Sequence, residues 1–229
     1  MNTRAKILLL LTGILLYSPV WSQEATYGVL PSLNINKALK KDWRINLKME
    51  WRNSLHTTPR VEGHNNAGQG YLQTDYAFLV SKKVGLNNSL SGGFLLRYKD
   101  QKLIHRFMQQ FTLFKKYATT RWAHRFAMDQ TKSLTDPTKY RIRYRTTLEF
   151  PLSGTAVDVK EWYLKVNNEW LNTFQTRNQS VEWRFVPLIG YKFSERNKLE
   201  SGIDFRKNHL NTPKQNNTFW LNINWYLTL

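Results

Sequence analysis

The chain has 229 residues, no cysteine, and 34 Lys and Arg against 16 Asp and Glu, a formal net charge of +18. The missing cysteine excludes a disulfide framework, a thiolate metal site and a lipid-modified amino terminus. The charge calls for anionic partners, such as lipopolysaccharide phosphates or small anionic solutes, or for arginines paired with carboxylates in a polar interior.

The amino terminus reads as an export signal. Arg4 and Lys6 give a positive start, residues 7–16 are apolar, and Val20 and Ser22 occupy the small-residue positions of a cleavage site before Gln23. The apolar run is too short to cross a membrane as a helix, which takes ~20 residues. The expected division is a signal peptide over 1–22 and one domain over 23–229. Export also argues against a nucleic-acid partner.

From there the chain alternates with the period-two pattern of strands. A first, weaker segment covers about 27–39. In 43–55, Trp43, Ile45, Leu47, Met49, Trp51 and Leu55 share one face, while Arg44, Asn46, Lys48, Glu50, Arg52 and Ser54 share the other. Weaker segments follow at about 69–81, 89–98, 104–114 and 119–129. In 140–150, Tyr140, Ile142, Tyr144, Leu148 and Phe150 oppose Arg141, Arg143, Arg145, Thr147 and Glu149. Segments at 159–171, 181–193 and 198–206 come next. The last, 219–229, sets Phe219, Leu221, Ile223, Trp225, Leu227 and Leu229 against Trp220, Asn222, Asn224, Tyr226 and Thr228, and looks like a barrel insertion signal. Short turns are expected near 40–42, 82–88, 115–119 and 194–197. Longer polar loops are expected near 56–68, 130–139, 172–180 and 207–217, with the 100–102 link breaking that trend. These segments total eleven, whereas single-chain bacterial barrels have even numbers of strands. Ten or twelve is therefore expected, with the first segment either wall or plug.

A soluble barrel turns its apolar face inward. Here the polar faces carry many full charges, and aromatics recur at paired depths: Trp43 with Trp51, Trp162 with Trp170, and Trp183 with Tyr191. Eight residues of strand span roughly 26 Å at ~3.3 Å each, or about 20 Å along the normal of a membrane at the usual tilt, near the ~25 Å band between aromatic girdles. With Trp225, these residues are read as two girdles. The fold class predicted is all-β, a transmembrane antiparallel β-barrel of ten to twelve strands that would enter the outer membrane through the barrel-assembly machinery.

With the apolar faces toward lipid, the opposite faces enclose a lumen. Its candidate residues are the basic Arg44, Lys48, Arg52, Arg97, Arg121, Arg125, Arg141, Arg143, Arg145, Arg184 and Arg206, and the acidic Glu50, Asp129, Glu149, Glu169, Glu182, Glu200 and Asp204. They form either a network that plugs the barrel or, through the Arg141–Arg143–Arg145 ladder, a path selective for anions. Catalytic and metal signals are weak. No GxSxG, HExxH or calcium loop occurs. Of the five histidines, only His105 and His124 fall on predicted strands, and no serine or acid is tied to them by sequence. No cofactor or metal is expected.

The segments LNINKALKKDWRINLKMEWR (33–52), HRFMQQFTLFKKY (105–117), YRIRYRTTLEFPL (140–152) and VEWRFVPLIGYKFSERNKLESGIDFR (181–206) resemble a bacterial outer-membrane family, the domain of unknown function 2490. The resemblance implies an outer-membrane barrel and supplies no reaction, ligand or functional residue. The leading reading is a structural barrel or narrow pore for small, mainly anionic solutes. The alternatives are an outer-membrane lipid-modifying hydrolase and a soluble exported β-protein that binds an anionic glycan.

Overall fold

The computed structural model describes residues 24–58, 70–133, 136–176, 178–213 and 215–229; the predicted signal peptide lies outside them. The described residues form eleven strands: β1 (Ala25–Ala38), β2 (Trp43–Thr57), β3 (Gly70–Lys83), β4 (Asn88–Lys99), β5 (Lys102–Lys116), β6 (Arg121–Lys132), β7 (Lys139–Pro151), β8 (Glu161–Gln175), β9 (Asn178–Ser194), β10 (Asn197–Asn208) and β11 (Asn216–Thr228). Each alternating segment is a strand, because strict alternation lets one face of a pleated ribbon be apolar and the other polar.

The strands close into one barrel in chain order. Consecutive strands pair antiparallel, and β1 pairs with β11 in parallel, from Ala25 opposite Asn217 to Asn36 opposite Thr228. This corrects the even-number expectation. With an odd number of alternating strands the first and last run the same way, so the ring shuts only through a parallel seam. The first segment is accordingly an ordinary wall strand.

The ring is steeply staggered. Lateral partners lead from Trp43 of β2 through Lys82, Leu90, Phe111, Phe126, Tyr144, Trp170, Trp183, Lys207 and Asn217 to Ala25 of β1. The Ala25 carbonyl accepts from the Thr58 amide, so one circuit that leaves β2 at its first residue returns beside its last. A stagger of about 14 residues over eleven strands ~4.8 Å apart corresponds to a tilt of about 40°.

Burial is inverted relative to a water-soluble barrel. Outward side chains are large and apolar yet exposed, such as Phe107 (50%), Ile142 (56%) and Trp162 (52%). Asp129, Glu169 and Glu200 are 0–1% exposed. One end carries the links 39–42, 84–87, 117–120, 152–160 and 195–196, and the other carries 58–69, 100–101, 133–138, 176–177 and 209–215. The long loop expected near 172–180 is corrected: β8 and β9 run on to Gln175 and Asn178. The left-handed backbone of Thr176, like that of Asp100 and Gln101, allows a two-residue link.

The inner side of the seam is tied by short amides and hydroxyls. Ser32 donates to Asn224 Oδ1 at 2.6 Å, and Asn34 donates to Ser32 Oγ at 3.1 Å. Trp220 of β11 faces inward, its ring seated on Gly28 of β1, where a Cβ would strike both that ring and the Asn53 carbonyl. Gly28→Ala is expected to lower stability by about 1–3 kcal/mol through overpacking. Gly92→Ala, where a Cβ would meet nothing within 4 Å, is expected to stay within about 0.5 kcal/mol of the parent. Denaturant unfolding of the refolded barrel, followed by circular dichroism, checks both; equal effects would show that the Gly28–Trp220 contact does not hold the seam.

Candidate functional site: the charged interior

The register places the predicted interior residues on one side of the wall. Glu50 of β2 pairs with Asp75 of β3, which pairs with Arg97 of β4. Arg125, Arg145, Glu169, Arg184 and Arg206 form one lateral row from β6 to β10. Parity puts Lys48 and Arg52 with Glu50, Arg141 and Arg143 with Arg145, Asp129 with Arg125, Glu182 with Arg184, and Asp204 with Arg206. Arg44 and the Arg121–Glu149 pair (3.9 Å) share this face close to the end that carries the 39–42 and 117–120 links.

These side chains join into paired clusters. Glu169 is the hub: Arg145 donates at 2.9 Å, Arg125 and Arg184 at 3.4 Å, and Arg143 stands at 4.0 Å. Asp129 takes Arg141 and Arg143, each at 2.8 Å. Arg97 grips Asp75 through two parallel bonds of 2.7 and 2.6 Å, and Arg206 grips Asp204 at 2.9 and 2.8 Å. Glu182 accepts from Arg184 at 2.5 Å, and Glu50 accepts from Lys48 at 2.6 Å and Arg52 at 3.4 Å. Glu200 forms a separate cluster with Tyr163 (2.8 Å), Lys165 (2.9 Å) and Lys198 (3.4 Å). Burying a charge is costly unless it is paired, and arginine's planar fork holds a carboxylate in two-point fashion.

Sequence reasoning passed over Asp75, Arg106, Lys165 and Lys198. Their signal was parity alone. Arg106 alternates with the outward Phe107, but Met108 lies on the same inner face, which blurs the pattern.

The outer face carries the aromatic residues. Trp43, Trp51, Trp162, Trp170, Trp183, Tyr191 and Trp225 all sit on the apolar side. Trp162 packs against Tyr191 in a tilted pair at 4.8 Å, close to the end of β9 at Ser194. Farther along the same strands a continuous chain runs from Trp170 to Trp183 (6.3 Å), Phe205 (5.7 Å), Phe219 (5.0 Å) and Tyr27 (5.1 Å), crossing the parallel seam from outside. His105 and His124 also point outward. They lie on neighbouring strands but are not lateral partners, for His105 pairs with Lys132 and His124 with Leu113. His124 Nδ1 is 2.9 Å from the Tyr144 hydroxyl. A Ser–His contact does occur, between Ser180 Oγ and His209 Nδ1 at 3.1 Å, but no carboxylate orients the other ring nitrogen among the described residues, so the arrangement lacks the third member of a hydrolytic triad.

The family model described as Protein of unknown function (DUF2490) matches residues 28–217. No curated protein matches the chain.

Breaking a buried pair strands the partner charge, at a cost of about 3–5 kcal/mol. Glu169→Gln leaves four arginines around a neutral amide and is expected to destabilise the barrel on that scale in denaturant unfolding. Glu195→Gln, an exposed partner of Lys192, is expected to change stability by less than ~1 kcal/mol. Equal losses would mean that the hub is not what holds the interior.

Proposed function

The chain belongs to the DUF2490 family of proteins of unknown function, and we propose that it is an integral outer-membrane barrel whose charged interior is a narrow constriction for small anions. One observation carries this reading: the wall is inside out, with exposed aromatics and aliphatics around fully buried, paired charges. Water does not favour that arrangement, and hydrocarbon does, because a closed barrel leaves no backbone group unpaired toward lipid. Strands of 12 to 17 residues exceed the ~9–11 needed to cross the hydrocarbon core. The export signal read from the amino terminus fits the same compartment.

The constriction follows from how closely the walls approach. Arg52 of β2 lies 5.3 Å over the Trp220 ring of β11 and Arg125 of β6 reaches Glu169 of β8 at 3.4 Å, so side chains from non-adjacent strands share one space. Among the described residues, nine arginines of this belt (Arg52, Arg97, Arg106, Arg125, Arg141, Arg143, Arg145, Arg184 and Arg206) meet six carboxylates (Glu50, Asp75, Asp129, Glu169, Glu182 and Asp204). The excess is positive, and a ring of arginine favours anions over cations. The hydrolase alternative is weaker, since Ser180 and His209 have no orienting acid among the described residues.

The test is single-channel recording of the refolded mature protein in a planar bilayer under a salt gradient. Small, discrete openings with an anion-selective reversal potential are expected, and Arg143→Gln with Arg145→Gln is expected to move that potential toward zero. A folded but silent barrel would overturn the constriction reading. Release of the native protein from membranes by alkaline carbonate would overturn the membrane reading itself.

A further inference from the structure

The interior charges do not pair off evenly, and the mismatch is local. Arg106 of β5 lies opposite Leu95 of β4 and Thr131 of β6, and Lys139 of β7 follows in the same lateral row beyond Thr131. Arg97 sits two residues along on β4, and Arg141 two residues the other way on β7. The tilt of the wall brings Arg97, Arg106 and Arg141 to about the same level, below the end that carries the 133–138 link. All four share the inward parity.

Their partners differ. Arg97 is held by Asp75 and Arg141 by Asp129. Arg106 is 7% exposed, yet no carboxylate among the described residues bonds to it. Its Nε donates to the Thr131 hydroxyl at 3.0 Å, and its two terminal nitrogens have no partner among the described residues. The Nε atoms of Arg141 and Arg143 are buried without an acceptor, and Lys139 has no ion pair among the described residues. Arg106 is coupled electrostatically to Arg97, Arg141, Asp75 and Asp129, and Lys139 to Arg97, Arg106, Arg141 and Asp136. With Arg143, which shares Asp129, five cations face Asp75, Asp129 and, on the loop, Asp136. Among the described residues two positive charges remain.

A buried guanidinium with no carboxylate bonded to it is a standing cost to the fold, and a sequence that breaks a local rule in this way tends to do so at a functional site. We infer that Arg106, with Lys139, Arg97 and Arg141 around it, forms an anion-binding site inside the barrel for a doubly charged oxyanion of the phosphate class. The free fork of Arg106 matches two oxygens of one anion, which a halide cannot offer. The excess of two charges matches a dianion better than a carboxylate. This inference rests on the reading of the interior as an anion path and names where on that path an anion rests.

The experiment is thermal unfolding of the refolded mature protein in detergent at constant ionic strength, with inorganic phosphate replacing chloride. The wild-type midpoint is expected to rise with phosphate and to saturate. Arg106→Gln is expected to abolish the rise and, having lost an uncompensated charge, to unfold at a higher temperature than wild type without phosphate. Arg121→Gln, at the rim, keeps the rise. Arg106→Lys retains the charge without the fork and is expected to raise the half-saturating concentration about tenfold, so the site stays testable if the glutamine variant does not fold. A wild-type midpoint indifferent to phosphate, an Arg106→Gln barrel that responds like wild type, or an Arg106→Lys barrel with unchanged half-saturation would each overturn the site. A lipid phosphate stays outside the wall, so phosphatidylglycerol in the micelles is expected to shift wild type and Arg106→Gln alike; a shift confined to wild type would overturn the interior location. Bilayer recording separates the two readings. Phosphate stabilisation of a silent barrel removes the pore and leaves the site, and conductance without phosphate stabilisation removes the site and leaves the pore.

Discussion

Closing eleven tilted strands leaves an interior into which every strand projects polar side chains, and a charge placed there survives only with a partner. The barrel depends on that constraint. Antiparallel partners supply some of the pairs directly, such as Asp75 with Arg97. Others reach past a strand: Arg125 on β6 and Glu169 on β8 meet across β7, and Lys165 on β8 and Glu200 on β10 meet across β9. Such reach is available on the concave side of a curved wall, where side chains converge, so curvature and charge pairing support each other. Glu169 sits within this convergence and serves four arginines.

The seam obeys the same constraint by other means. Parallel pairing has slanted bonds and is slightly less stable per residue than antiparallel pairing, and a misplaced charge there would have few partners. The seam interior instead carries Ser32, Asn34 and Asn224, small groups that bond at close range, and Trp220, whose ring fills the space above Gly28. Arg52 lies over the Trp220 ring at 5.3 Å, which joins the uncharged seam to the charged belt. Outside, the aromatic run from Trp183 through Phe205 and Phe219 to Tyr27 covers the same junction. The strand pair that closes the barrel is thus packed on both faces.

Much of this is legible in the sequence because alternation is a local property. Residues 43–55 and 140–150 declare their two faces within a single strand, and the inward position of the arginine ladder follows from parity. What is not local is not legible. The partner of β1 is β11, and whether they meet in parallel depends on the parity of the whole count rather than on any residue of either strand. The tight link after Gln175 was obscured because Asn172 and Gln179 are polar strand residues, bonded to each other across the hairpin, in a stretch whose composition resembles a loop. Asp75 and Arg106 were obscured because their strands mix apolar residues into the inner face, with Ala77 and Leu79 on β3 and Met108 on β5, so the polar side no longer stands out.

A purely structural interior has no need of surplus charge. Where an interior serves only to fill space, replacing ion pairs with apolar residues of similar size is often neutral or stabilising. This interior departs from equality in one direction and most sharply around Arg106, whose neighbours Arg97 and Arg141 are cations already holding their own carboxylates. The surplus lies inside the barrel rather than on its outer surface, so it does not serve solubility, and it lies apart from the seam, so it does not serve closure. On the proposed reading, a mobile anion is the counter-charge that both satisfies the guanidinium and can leave, and an interior that binds such an ion without an immobile carboxylate in its place suits occupancy that comes and goes.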